Sequence, residues 1–202
     1  MSKKYCSIGK GARVDQSAIL GYESGRKIKV AKTIIGRGAL IRSNTVIYTN
    51  SKIGDNLETG HNVIIREQNK IGKNLSIWNN STIDYGCTIG NNVKIHNNVY
   101  LAQLTIIEDD VFLAPGVMIA NDLHPVCTRC MQGPTIKKGA RIGINATLLP
   151  AIVIGRNSLV GAGSVVTKDV PDNAVVFGAP AKVVAKLKNL KCRHKIKSRV
   201  YE

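Results

Sequence analysis

Every sixth residue from position 35 is aliphatic: Ile35, Ile41, Ile47, Ile53, then Thr59 as the one departure, then Ile65, Ile71, Ile77, Ile83, Ile89, Ile95, Leu101, Ile107, Leu113 and Ile119. The beat stops there and resumes at Ile136, Ile142, Leu148, Ile154, Val160 and Val166; backwards it runs through Leu20, Val14 and Ile8. A spacing of six fits neither the 3.6-residue period of a helix nor the unbroken alternation of one flat strand. It fits a short strand, a turn and another short strand, each sending one aliphatic side chain inward. Gly follows the inward residue at positions such as Gly36, Gly54, Gly72, Gly143 and Gly161, where a tight corner is expected to favour a residue without Cβ. Four residues after the pulse stands a second, mostly small or aliphatic position, among them Ala39, Ser51, Cys87, Val93 and Ala146.

Three such hexads close one triangular coil of eighteen residues, and the twenty-four hexads make eight coils. Stacked coils would pair along each face at the strand spacing, about 4.8 Å, giving an all-β parallel β-helix of the hexapeptide type. Its interior is filled with aliphatic side chains, so chemistry must sit outside. Two breaks in the beat mark insertions near 21–34 and 120–135, with the solenoid itself ending near residue 170. Residues 171–202 then form a basic extension, read from Pro180 onward as a short helix that caps the open end.

The net charge is +16, concentrated late in the chain. Lys182 to Arg199 holds eight Lys or Arg and no acid, a stretch that attracts polyanions. No apolar run reaches 18 residues and the first residues carry no apolar signal core, so neither a membrane span nor secretion is expected. Five cysteines in such a chain point to reduced thiols and a cytoplasmic setting.

The repeat, with "VGAGSVVTKDVP" and "GAPAKVV" near its end, resembles the left-handed β-helix acyltransferases of the hexapeptide-repeat superfamily. The resemblance implies the left hand, an acyl-CoA cosubstrate, a homotrimer and an active site in the groove between neighbouring prisms. The segment "ANDLHP" is similar to the galactoside and maltose O-acetyltransferases, which places a catalytic base at His124. The segment "IGNNVKIHNNVYLAQLTIIEDDVFLAPGVMIAND" is closer to the bacterial nucleotide-sugar N-acyltransferases, and that branch is preferred. Carried over residue by residue, Ile144, Ala162, Thr167 and Lys168 would contact the coenzyme. The position that often meets its 3′-phosphate is Ala185 here, leaving Lys182 and Lys186 as the nearby cations. Asn97 and Asn98 resemble sugar-contacting positions, although stacked asparagines are also a packing device at coil corners.

Acyl transfer from a thioester requires removal of a proton from the nucleophile, a task suited to a histidine titrating near neutrality. Asp122 and Asn121 stand beside His124, to orient its imidazole or bind sugar hydroxyls. The same stretch, "HPVCTRC", offers Cys127 and Cys130 as half of a zinc site. No second pair of ligands completes it, so no metal is expected. A carbonic-anhydrase-like site on this fold fares no better, because His61 and His96 lie thirty-five residues apart, one short of two coils. Nucleic-acid binding is disfavoured by the lack of interleaved aromatics or a recognised motif in the basic tail.

The sequence thus supports an acyl-CoA-dependent N-acyltransferase, with acetyl the commonest group, acting on a UDP- or dTDP-linked amino sugar for surface polysaccharide. The runner-up is sugar O-acetylation; a metal hydratase and a polyanion-binding scaffold lie further off.

Overall fold

In the computed structural model, which describes residues 5–192 and 194, the pulse becomes a three-faced column. Each beat closes a strand only a few residues long, as in Lys52–Ile53, Glu58–Thr59 and Ile64–Ile65, and successive beats fall on successive faces. Strands one coil apart pair in parallel; Ile71 sits between Ile53 and Ile89. The first face stacks eight strands from Cys6–Ile8 to Val153–Ile154, and the third eight from Ile19–Tyr22 to Val165–Val166. The second runs from Arg13–Val14 to Leu159–Val160 and is extended by two further strands. The architecture is an all-β left-handed parallel β-helix.

From Leu20 to Val166 every pulse residue is buried, so the column has no lumen. Thr59 breaks the aliphatic row without leaving an orphan polar atom. Its hydroxyl accepts from the Arg42 N–H at 2.9 Å and meets the Thr45 hydroxyl at 3.3 Å, while Thr45 also donates to the Gly60 carbonyl.

The corners differ from the expectation. Gly54 and Gly143 follow the pulse but do not make the turn. They stand against the next coil, where a Cβ would lie 2.7 Å from Gly72 C or 2.6 Å from Ala162 N. The turn comes three residues after the pulse, in left-handed backbone at Asn44, Asn50, Asn56, Asn62, Asn74, Asn80, Asn92 and Asn98, with φ between 56° and 66°. Asn tolerates this region because its short polar side chain bonds locally. Here the carboxamides also stack: Asn56 donates to Asn74, Asn74 to Asn92 and Asn92 to Asp110, at 2.8–3.0 Å.

Both insertions leave the column at the same edge, between the third and first faces. Residues 23–32 follow the strand Ile19–Tyr22 and residues 120–134 follow Met118–Ile119. Five coil steps along the third face separate their roots, roughly 24 Å at the usual strand spacing.

From Pro180 to Cys192 the described segment is not an α-helix. Ala181–Lys186 is an antiparallel strand paired with Ala174–Gly178, which itself continues the second face; only Leu187–Asn189 forms a single 3-10 turn. Two β-branched pairs, Val175–Val176 and Val183–Val184, favour pleated backbone, and the open end of the second face offers unpaired hydrogen-bonding groups to receive it. The Phe177 ring lies over Gly161, where any Cβ would collide with it. Much of the basic stretch beyond Cys192 falls outside the described residues.

Candidate active site

The residues singled out in the sequence divide between two edges of the column. Asn97, Ile144 and Ala162 occupy the edge between the second and third faces, in one ladder with Pro115. Gly116 N–H donates to the Asn97 carbonyl, Asn145 N–H to Pro115 and Gly163 N–H to Ile144, at 2.8–2.9 Å. Asn98 beside them is a left-handed corner at φ 58°, and the Asn97 carboxamide oxygen accepts from the Asn79 N–H. Both asparagines therefore build the corner itself.

The edge between the third and first faces carries all the others except Lys182 and Lys186. Thr167 and Lys168 follow the last strand of the third face and are exposed, while Asn121, Asp122 and His124 lie on the longer insertion. The Asp122 carboxylate accepts from the backbone N–H of His124 at 2.9 Å and of Cys127 at 2.8 Å. It shapes the loop backbone and does not orient the imidazole, which stands in solvent. Lys182 and Lys186 are exposed on the terminal strand, further along the second face.

Cys127 and Cys130 are free thiols with sulfurs facing each other at 2.6 Å. The hydrogen bond between the two draws the Cys127 thiol below its usual range and raises Cys130. Cys87 behaves oppositely: burial pushes it up to about 12. Among the described residues no three His, Cys, Asp or Glu side chains converge as a metal site. His61 bonds Ser43 Oγ through Nδ1 at 2.6 Å, whereas His96 packs edge-on against Phe112.

A cluster that the sequence reading missed lines the same edge as His124. Glu67, fully buried, accepts from Ser24, Arg26 and Arg66 at 2.9–3.2 Å. Burial alone would raise its carboxyl, but its own backbone N–H, Ser24 and the two arginines together hold it below the ordinary range. Arg66 reaches on to Asp84 at 2.9 Å, and Asp84 receives Tyr100 Oη at 2.8 Å and the Gln103 carboxamide. Gln103 in turn accepts from Asn121 Nδ2 at 2.7 Å. Arg26 lies over the Tyr85 ring, 3.7 Å from its centroid. One polar chain thus joins the shorter insertion to the root of the longer one. Its signal was present in the sequence: Glu67, Tyr85, Gln103 and Asn121 recur at one-coil intervals of eighteen.

Comparison with known proteins agrees with this architecture. Residues 70–103 and 133–168 match the family described as bacterial transferase hexapeptide (six repeats). The galactoside O-acetyltransferase of Lactococcus lactis is 37% identical over 98 residues, 42% of this chain and 47% of that protein. A dTDP-3-amino-3,6-dideoxy-alpha-D-galactopyranose 3-N-acetyltransferase of Aneurinibacillus thermoaerophilus is 50% identical over 48 residues, 24% of this chain and 25% of that one. A crystal structure of a candidate acetyltransferase from Bacillus cereus superposes with a TM-score of 0.59 at 26% identity, covering 86% of each chain. The chain spans less than half the length of the curated relatives it matches. Among the described residues no helix is long and apolar enough to cross a membrane.

Proposed function

We propose, on the premise that this chain carries the repeat of the bacterial hexapeptide transferases and has their left-handed β-helix, that it is an acyl-CoA-dependent acyltransferase. The acyl group, acetyl in the simplest case, goes to the amine of a UDP- or dTDP-linked amino sugar, a building block of surface polysaccharide. The observation that carries the reading is the division of the candidate residues between two edges flanking one face. Turn three columns so that their third faces look at a common axis, and the second–third edge of each meets the third–first edge of the next. Asn97, Ile144 and Ala162 of one chain then stand opposite His124, Thr167 and Lys168 of its neighbour. The outward row of the third face suits that arrangement: Ile19, Val46, Ile64, Thr82, Tyr100, Met118, Thr147 and Val165 include no charge, whereas the second face presents Arg13, Glu58, Lys94 and Arg141. The active assembly is a homotrimer with three sites.

In this site His124 removes the proton of the attacking nitrogen as it adds to the thioester carbonyl. The tetrahedral oxyanion then collapses and expels the CoA thiolate, which takes up the proton. Lys168, and Lys182 or Lys186 further along, supply positive charge for the coenzyme's phosphates. Dependence on acyl-CoA implies a cytoplasmic setting. The 50% identity to an amino-sugar N-acetyltransferase favours an amine acceptor. The histidine loop and the longer match to a galactoside O-acetyltransferase favour a hydroxyl, which is the second reading.

Thiol release from acetyl-CoA, followed with UDP- and dTDP-amino sugars and their hydroxyl analogues, tests both. Turnover with amines alone supports the N-acyl reading, and turnover with hydroxyls alone replaces it with the second. Silence on all acceptors refutes acyl transfer to sugars.

A further inference from the structure

Asp84 is 5% exposed, and all four lone-pair positions of its carboxylate are occupied. Oδ1 accepts from Arg66 and from the Tyr85 backbone N–H; Oδ2 accepts from Tyr100 Oη and Gln103 Nε2. An ionised carboxylate only accepts, so it dictates which end of the Gln103 carboxamide faces it. With Nε2 committed to Asp84, Oε1 of Gln103 points the other way and takes Asn121 Nδ2 at 2.7 Å. That fixes the Asn121 carboxamide in turn. Its backbone carbonyl is held by the Gln132 N–H at 2.7 Å, at the other end of the insertion. Asn121 is 9% exposed, yet among the described residues nothing donates to its Oδ1, and that atom is not sealed from solvent. Water can donate to that oxygen in the free protein, and a substrate N–H or O–H can take the water's place.

We propose that Asp84 and Gln103 form a polarity relay that presents Asn121 Oδ1 as a hydrogen-bond acceptor to the N–H or O–H of the acyl-accepting nucleophile. Asn121 touches the substrate; Asp84 and Gln103 are positioning residues that act through it. The inference rests on the acyl-transfer reading and deepens it, because it names what greets the nucleophile beside His124. It also accounts for a buried acid so close to the edge: Arg66 and the Tyr85 N–H already claim one oxygen, and only a carboxylate offers a second acceptor to Gln103.

The relay can be reversed by substitution. In Asp84→Asn, the new Nδ2 faces Gln103, which must turn round and offer Nε2 to Asn121, so Asn121 turns and shows a donor to the substrate. In Asn121→Asp, two acceptors confront each other across Gln103 Oε1. Combining the two restores a consistent chain running the opposite way, with the carboxylate introduced at position 121 once more offering an oxygen. Asp84→Asn is expected to lower kcat/KM for the acceptor by about 10-fold or more through the loss of one hydrogen bond in the transition state, and Asn121→Asp by a similar factor because repulsion from Gln103 Oε1 displaces its carboxylate, both with the KM for acyl-CoA unchanged. The double variant is expected to return to within about threefold of the parent. Thermal melting accompanies each variant, since Asp84→Asn also removes an ionic partner of Arg66. An Asp84→Asn protein that is folded and fully active overturns the relay, as does a folded double variant no better than the singles. Hydrogen exchange of the Asn121 side-chain amide gives a readout independent of turnover: it is slow in the parent if Gln103 holds it. Free exchange there sinks the relay even in an active enzyme. A parent protein that acylates nothing but keeps that protection instead refutes only the functional reading.

Discussion

The five thiols show how far one residue type can be driven apart by position. Cys87 fills an interior row where no water reaches it, so its thiolate form is suppressed and its pKa stands at about 12. Cys127 lies on the projecting loop, hydrogen-bonded with Cys130, and has its pKa lowered. Reactivity follows the thiolate fraction and access. Limited iodoacetamide treatment near neutral pH should therefore modify Cys127 first and leave Cys87 untouched until the protein is unfolded, as read by peptide mass mapping. Labelling of Cys87 in the native protein would mean that the column opens. From sequence, a lone CxxC pair without a second pair of ligands is a weak metal signal; among the described residues no three His, Cys, Asp or Glu side chains group around it.

At the scale of the element, the corner and the loop make different demands. Asn80 holds φ 58° and accepts Asn62 Nδ2 at 3.1 Å. Asn80→Ala should cost about 1–2 kcal/mol, since a left-handed alanine pays the steric penalty and loses the ladder bond. Asn80→Gly should lose only the bond and stand between, with urea midpoints giving the order. Equal stability of the Ala and Gly variants would show that backbone strain is not what selects Asn here. The shorter insertion is tied down by Glu67, whose carboxyl is held below its ordinary range and gives a pH signature. A depressed acid contributes stability that is present above its ordinary titration range, near pH ~4.3, and is lost as pH falls through the folded value. Pepsin digestion should thus begin cutting residues 23–32 below about pH 4 while the coils stay intact, and Glu67→Gln should remove that pH dependence. The coils were legible because one aliphatic residue in six reports a face without ambiguity. Places of departure were legible as breaks in the count. The terminal hairpin was not, because "AKVVAKLK" has helix-forming Ala, Leu and Lys and nothing local announces the unpaired sheet end that recruits it. The polar chain from Arg26 to Asn121 escaped for a related reason. Its bonds between coils join residues 16 to 43 positions apart, and only counting by eighteen aligns them.

For the whole molecule, the proposed site makes a single chain insufficient. His124 and Ala162 lie on edges separated by the full width of the third face, so a site that uses both the proposed base and the proposed coenzyme contact at Ala162 needs two columns. In a threefold ring each site takes one edge from each of two neighbours. This makes the assembly testable by mixing two dead proteins. His124→Ala destroys the third–first edge and leaves the other intact; Ala162→Trp obstructs the second–third edge and leaves His124 in place. Either homotrimer should be inactive, although both should be folded and trimeric by light scattering. Co-refolded in equal amounts, chains assort at random. A site is whole when an Ala162→Trp chain supplies the histidine edge and a His124→Ala chain the coenzyme edge, which happens at about a quarter of the sites. Activity of roughly 25% of the parent is therefore expected from two inactive components. Were both edges drawn from the same chain, every site in the mixture would carry a lesion and the mixture would stay silent. The uncharged outer row of the third face makes the complementary demand: Ile64→Glu, which puts a carboxylate where the proposed ring would bring columns together, should yield monomers that keep their β-sheet spectrum and lose turnover.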